Sequence, residues 1–537
     1  MPSSATPDRN PRVLVVGAGP TGLLLSCELE RRGIACLLID ELDGPRGWDR
    51  ATVVHPRSME IFEALGLADR FLERGVKTRK ARFRSEGEVL GELDLELTDS
   101  RYRFDLGISE ELTEAVLTAH LQEHGGAVAR STRLVDLRPE GDGVAATLES
   151  DGRRREVAAS WIVGCDGLHS GVRELAGIEF EGSDLEAPWA VFDATLDGWD
   201  DEFDVAAAFL EVPPVILTPL PGRRWRVYLR PASEASDLVD DAAKVVHAYK
   251  PDIEFADVEN PVRFHCHSRV ASRFRSGRVL LAGDAAHACT PAEGHGMNTG
   301  LQDAFNLGWK LALVCHGASG PGLLDSYEAE RRPVAMRIVA SGDDAEAGQA
   351  MTAPDDRAAR DVQMRRTFSV PESAHHEAVA AAELDRCYAD SPAVTGDRNS
   401  RFAPGDRLAD SLSVHDPAGE PRSLHELTHR SGHTLFVVGG HEAAPTEILD
   451  VVAALEEAYG DSPVVGAVLG LGPSGTGQGL HRIDPSVVDR LGIEGLTVFA
   501  VRPDRYLGFR HDGGDPGAVE EYLEALTIAS PGIGARQ

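Results

Sequence analysis

The sequence predicts a mixed α/β fold: a parallel sheet at the centre, an antiparallel sheet inserted into it, and a smaller α/β unit after it. Three observations carry this reading. Residues 12–40 alternate strand, glycine turn, helix and strand. Residues 179–276 switch to short strand-like pieces separated by Pro and Gly turns. Beyond residue 400 a strand–helix–strand pattern returns on a smaller scale.

Taken in order, residues 12–16 (RVLVV) form an apolar run of the buried-strand type. A glycine turn follows at 17–22. Residues 23–32 have helical apolar spacing and stop at Gly33, suited to the left-handed position after a helix. Residues 34–39 make a second strand ending at Asp40. Residues 49–67 (DRATVVHPRSMEIFEALGL) give a loop and then a helix from about His55. A helix is expected over 112–124, and strands over 128–137, 144–149 and 161–165, the last ending in Asp166-Gly167. The pieces WAVFDATL, AAAFLEV, VILTPLPG and RWRVYLRP read as the inserted antiparallel sheet. A strand at 279–282 runs into Gly283-Asp284, a loop with Gly294, Gly296 and Gly300, and an amphipathic helix carrying Asp303, Asn306, Trp309 and Lys310. Residues 323–398 are mostly helical. The resulting segments are 1–178, 179–276, 277–400 and 401–537.

The 537 residues carry 54 basic and 87 acidic side chains, a balance of −33. Such a surface repels nucleic acid and anionic membranes, which excludes both as partners. No apolar run approaches the ~18 residues that span a bilayer. The first ten residues show no basic stretch leading into an apolar one. The seven cysteines are dispersed, with no CxxC, as in a reduced cytoplasmic protein.

Two clusters carry the chemistry. Gly17-x-Gly19-x-x-Gly22 lies between a strand and a helix, with Pro20 at the helix start and Asp40 at the next strand end, 18 residues beyond Gly22. That context suits a pyrophosphate held against a helix entrance and a carboxylate on a ribose. Asp40 or Glu41 could serve, and strand phase favours Asp40. Far along the chain, Gly283-Asp284 faces the glycine-rich entrance of another helix. A carboxylate there accepts hydroxyl hydrogen bonds, and open backbone N–H groups meet a phosphate or ring carbonyl. Together the clusters indicate one large dinucleotide clasped from two sides. Between them, 163–173 (VGCDGLHSGVR) is a strand followed by a turn.

Other features read more plainly. His287 fits a hydrogen-bonded turn histidine. Residues 470–479 lack the Gly-Lys-Ser/Thr ending of a phosphate loop. His265 and His267 share a strand face without a third ligand, so no metal site is expected.

In this order and spacing the three landmarks resemble the single-component FAD-dependent aromatic hydroxylases of the para-hydroxybenzoate-hydroxylase type. Asp49-Arg-Ala, HPRSMEIFEALGL and LLDSYEAERRPVA extend the resemblance. It implies a Rossmann-like FAD-binding domain with an inserted antiparallel-sheet substrate domain. PGDRLAD, HTLFVVGG and VRPDRYLGF add a resemblance to a C-terminal thioredoxin-like α/β domain, here lacking redox cysteines and so read as a packing or assembly unit. By the same resemblance Gly17, Gly19, Pro20 and Gly22 form the FAD fingerprint, Asp40, with Glu41 beside it, binds the ribose, and Arg50 contacts the cofactor. Asp166, Gly167 and Arg173 serve FAD and the nicotinamide donor. Gly283 and Asp284 bind the ribityl chain, and Pro291, Gly294, Gly296, Met297 and Asn298 border the isoalloxazine.

The chain departs from the family at two cofactor contacts. Glu110 stands where many members carry a flavin-contacting glutamine, and Glu293-Gly294-His295-Gly296 replaces a Gly-Gly-Gln-Gly run. No obligatory catalytic side chain is assigned; His295 is the candidate. Phe192, Phe209, Leu217, Trp225, Tyr228, Pro291 and Glu293 are the candidates for an aromatic substrate cavity.

The implied reaction uses NADPH or NADH, FAD and O2. A flavin C4a-hydroperoxide hydroxylates a phenolic or polycyclic aromatic compound, with natural-product tailoring as one setting. Baeyer–Villiger or ring-rearranging oxygenation of a polyketide is one alternative. A non-oxygenating flavin-bound protein that sequesters an intermediate is another. A homo-oligomer is left open.

Overall fold

The computed structural model describes residues 11–45, 51–185, 187–199, 203–398, 400–473 and 479–527. Arg50 therefore lies outside the described residues. The central sheet has six strands, ordered Arg275–Ser276, Val279–Leu281, Trp161–Gly164, Val13–Val16, Cys36–Ile39 and Val128–Ala129. All pair in parallel except Arg275–Ser276. Val13–Val16, Trp161–Gly164 and Val279–Leu281 are buried throughout, which is why they read as unbroken apolar runs. The strand at 279–281 sits one strand away from Val13–Val16, so the two glycine clusters leave the same edge of one sheet.

The inserted sheet has seven strands, ordered Glu254–Phe264, Trp189–Asp197, Arg224–Leu229, Val215–Leu220, Val205–Phe209, Lys80–Ser85 and Glu88–Asp94. The last two come from the segment read as the first part of the nucleotide domain. Lys80–Ser85 pairs with Val205–Phe209 in parallel, so the sheet is not purely antiparallel. Pairing across more than a hundred residues leaves no local sequence signal, which is why the boundary at 178 missed this hairpin. Likewise the expected strand over 128–137 divides. Val128–Ala129 joins the central sheet, and Arg133–Glu140 joins a separate antiparallel sheet with Gly143–Ser150 and Arg153–Ala159.

The tail forms an eight-stranded sheet around His433–Gly439, which is buried at every position. That strand runs parallel to Val465–Gly472 across helix Pro445–Tyr459 and antiparallel to Leu496–Val501. The tail is also joined to the body through buried charge. Arg502 donates to both oxygens of Glu330 at 2.8 and 2.8 Å, and Lys310 reaches the same carboxylate at 2.7 Å. Arg505 donates to the Glu60 carbonyl at 2.7 Å and to the Glu63 carboxylate at 3.1 Å. Trp309 and Leu313 of the body belong to the tail's own apolar core. Among the described residues, no helix is long and apolar enough to cross a membrane.

Candidate functional site

The fingerprint turn is shaped by contacts that only glycine permits. Gly17 has φ +100°, and a Cβ there would lie 2.3 Å from the Cys165 carbonyl oxygen. A Cβ on Gly22 would lie 2.0 Å from the Gly17 oxygen. Gly19 faces open space instead, its nearest neighbour being a Glu114 oxygen at 3.9 Å from the Cβ position. Helix Pro20–Glu30 begins after Gly19 with no side-chain cap. Its first N–H groups are therefore open to an anion. Asp40 accepts from Ala18 N–H at 2.7 Å and Leu42 N–H at 2.9 Å, which holds its carboxylate beside the turn. Glu41 is exposed beside it.

Thr21 is the residue at which the second cluster meets the first. A Cβ on Gly283 would stand 2.6 Å from Thr21 Oγ1, and one on Gly300 would stand 2.3 Å from it. The absence of both side chains lets the 283–285 turn and the helix His295–His316 close onto the fingerprint helix. Asp284 is exposed on that turn, with no side-chain hydrogen bond among the described residues. The turn is held from beneath by Asp303. Its carboxylate accepts from Gly283 N–H at 3.0 Å, His287 Nε2 at 2.7 Å and Arg331 Nε at 2.7 Å. Burial alone would push the Asp303 carboxyl up, but Arg331 and His287 outweigh it and hold it below the usual carboxylate range. His287 is thus an internal partner, as its turn position suggested.

Helix His295–His316 starts after Gly294, which has φ +72° and carries no side-chain cap. Its first turn, with Gly296 and Met297, presents backbone N–H groups. Pro291 opens the short 3-10 turn before it, and Glu293 in that turn accepts from Ser341 Oγ at 2.6 Å. Tyr228 approaches from the inserted sheet, its hydroxyl 2.9 Å from Thr52 Oγ1. Glu110 is the first residue of helix Glu110–Glu123, its N–H bonded to the Ala51 carbonyl at 3.1 Å.

Several residues expected to touch a cofactor have their side chains committed inside the protein. Asn298 accepts from His55 N–H at 2.9 Å and donates to the Val53 and Gly294 carbonyls at 2.9 and 2.9 Å. Only its backbone is left for a ligand. Asp166 caps the helix Gly171–Leu175, accepting from Ser170 Oγ at 2.5 Å and Val172 N–H at 3.0 Å, and burial raises its carboxyl. Gly167 beside it takes a left-handed φ of +78°. Arg173 donates to the Leu168 and Ala285 carbonyls at 2.8 and 3.0 Å and stacks on Phe180. Arg173 therefore braces the Asp284 turn through Ala285, and Asp166 is occupied by its own helix entrance.

The cavity candidates divide by strand phase. Phe192, Phe209, Leu217 and Trp225 pack in one core with Leu238, Val245 and Val246 of helix Leu238–His247. Tyr228 lies on the opposite face with Trp189, Val191 and Ile216. Side chains alternate across a strand, so the candidates divide between the two faces of the sheet. Thr21, His55, Asp105 and Glu383 were passed over because their partners are distant in sequence. Thr21 lies inside the fingerprint and His55 opens the segment HPRSMEIFEALGL, the only local signals of either.

The comparisons agree with this geometry. A family model described as an FAD binding domain matches residues 10–341. The 6-methylpretetramide 4-monooxygenase of Streptomyces rimosus is 32% identical over 546 residues, covering 98% of this chain and 96% of that enzyme. Pentachlorophenol 4-monooxygenase of Sphingobium chlorophenolicum is 35% identical over 337 residues, 61% of this chain and 63% of that enzyme, so this match spans less than two thirds of it. The solved structure of the flavin-dependent monooxygenase PieE, in complex with FAD and substrate, aligns with a TM-score of 0.79 and 25% identity over 97% of this chain and 99% of that one. A nucleotide cradle closed at Thr21 and relatives matching from end to end lead to the same conclusion: the chain belongs to the FAD-dependent aromatic hydroxylases and is a flavoprotein monooxygenase.

Proposed function

We propose that this enzyme hydroxylates a phenolic ring of a polycyclic aromatic natural product, taking electrons from NADH or NADPH and oxygen from O2. The observation that carries the placement of FAD is the meeting of Gly283, Gly300 and the fingerprint helix at Thr21. In this reading the adenosine ribose lies at Asp40, with Glu41 at its edge. The pyrophosphate lies on the entrance of helix Pro20–Glu30, the ribityl chain at Asp284, and the ring at the Gly294–Met297 entrance. The residues fit such a group: two open helix entrances, an exposed carboxylate without an internal partner, and glycines where side chains would intrude. Bound FAD supplies the electron transfer and the activation of oxygen.

The chain's own residues supply position and dryness. Asp303 keeps the Asp284 turn against the fingerprint helix. Asn298 ties the first turn of helix His295–His316 to the strand Val53–Val54. Tyr228, Trp189, Val191 and Ile216 form an apolar wall with one hydroxyl, suited to a flat aromatic substrate. Pro291 and Glu293 border the same entrance. The relatives act, by name, on a pretetramide and a chlorophenol, which supports a phenolic substrate of this kind.

The test is to screen phenolic polycycles for accelerated NAD(P)H oxidation while following label from O2 into product and measuring peroxide in parallel. Label in a hydroxyl of the product is expected. Label in a lactone would favour ring insertion, and substrate binding without oxidation would favour a sequestering role.

A further inference from the structure

Two carboxylate–imidazole pairs lie against the entrance of helix His295–His316, and neither belongs to the contacts assigned above. His55 Nδ1 is 2.8 Å from Asp105 Oδ1, and its ring lies 5.1 Å from that of His295. Its buried Nε2 faces the 293–294 turn, 3.7 Å from where a Cβ on Gly294 would stand. His295 Nδ1 in turn is 3.0 Å from Glu383 Oε1. The Glu383 side chain is fully buried, and its backbone holds φ +57°, a conformation costly for any residue but glycine. Glu383 also accepts from Thr299 Oγ1 at 3.3 Å and from Gln302. His295, Thr299 and Gln302 stand at i, i+4 and i+7, so one carboxylate grips one stripe of the first two helical turns.

We propose that Asp105, His55, His295 and Glu383 form a positioning clamp that sets the entrance of helix His295–His316 against the flavin ring. The clamp rests on the placement of FAD given above. It acts through charge as well as contact. A helix entrance attracts anions, so a buried carboxylate without its imidazole competes with the flavin carbonyl for the same N–H groups. Burial opposes charge on His55, yet Asp105 and then Glu383 outweigh it and raise the imidazole to about 9. Burial likewise opposes charge on Glu383, but His295 and then His55 bring its carboxyl down to about 2. His55 is thus cationic and Glu383 anionic across neutral pH, and the helix entrance stays open to the ligand.

The experiment uses full-length protein stripped of flavin and reconstituted with FAD. His295→Leu, Glu383→Leu and the double variant are compared by FAD dissociation constant, flavin reduction potential and the melting temperature of the flavin-free form. His295→Leu alone is expected to weaken FAD by about tenfold or more and to lower the potential. The double variant is expected to recover most of both, because the uncompensated carboxylate is gone. His295→Gln, which retains a donor towards Glu383, is expected to fall between. Wild-type affinity and potential in a folded His295→Leu protein would overturn the clamp, as would a double variant no better than the single. Should His295→Leu fail to fold, His55→Gln and Glu383→Gln carry the test. Each is expected to move the potential of the folded protein, Glu383→Gln upwards, and an unmoved potential in both overturns the proposal. If the wild-type protein itself takes up no FAD, the placement of the cofactor fails first; flavin-replete wild type with indifferent variants refutes the clamp alone.

Discussion

Replacing Asp284 by alanine separates ligand binding from folding more cleanly than any other change in this protein. The carboxylate is exposed and takes no side-chain hydrogen bond among the described residues, so the flavin-free fold has almost nothing to lose. Surface changes of this kind stay within about 0.5 kcal/mol. On the proposed placement of FAD the same carboxylate accepts from ribityl hydroxyls. A hydrogen bond to a charged group contributes about 1.5–3 kcal/mol, and each 1.4 kcal/mol is tenfold in affinity. Asp284→Ala is therefore expected to raise the FAD dissociation constant by roughly ten- to a hundredfold while the flavin-free melting curve stays in place. The assays are quenching of flavin fluorescence on reconstitution and denaturant unfolding of the flavin-free form. Wild-type affinity in the folded variant would refute the placement of the ribityl chain. A large loss of stability would refute the view that the side chain serves only the ligand.

Asp303→Asn should show the opposite phenotype. It strips the counter-charge from buried Arg331 and should cost about 3–5 kcal/mol in unfolding experiments even without flavin. Arg502→Met removes the two 2.8 Å bonds to Glu330 across the tail interface and should cost a similar amount, about 3–5 kcal/mol. A melting temperature equal to wild type would show that the tail is independently held. The third case concerns pH. Asp410 lies among Glu60, Glu63, Arg101, His425 and Arg505; burial, then Glu60 and Glu63, raises its carboxyl to about 7. A raised carboxyl stabilises most when protonated, so its contribution is complete below the ordinary value of 3.8 and is lost as pH rises through about 7. Asp410→Asn is expected to flatten the pH dependence of unfolding between 3.8 and about 7; a slope unchanged from wild type would remove Asp410 as its source.

The tail illustrates where sequence reading stopped. The lack of cysteine after Cys387 argued against thiol chemistry and for a packing unit. Nothing local indicated that Arg502, Asp504 and Arg505 would reach Glu330, Asn306 and Glu60 in the body. Removing residues 401–537 would strand those charges and expose Trp309 and Leu313, so the tail is part of the body's stability as well as of any assembly.

The local features were legible because each is set by neighbours in the chain. A glycine turn between a strand and a helix, an acidic residue at the next strand end, and a second glycine loop before a helix all follow from backbone geometry. Those patterns determined the fold class and indicated a large dinucleotide held from two sides; the family resemblance they carry named it as FAD. The tertiary structure decided what needs distant partners. Strand pairing put Val279–Leu281 one strand from Val13–Val16, and Thr21 became the hinge of the cradle. Sheet phase put Tyr228 and Trp225 on opposite faces of the inserted sheet. Buried polar contacts chose the internal roles of Arg173, Asn298 and Glu383, whose partners Ala285, Val53 and His295 lie far away in the sequence.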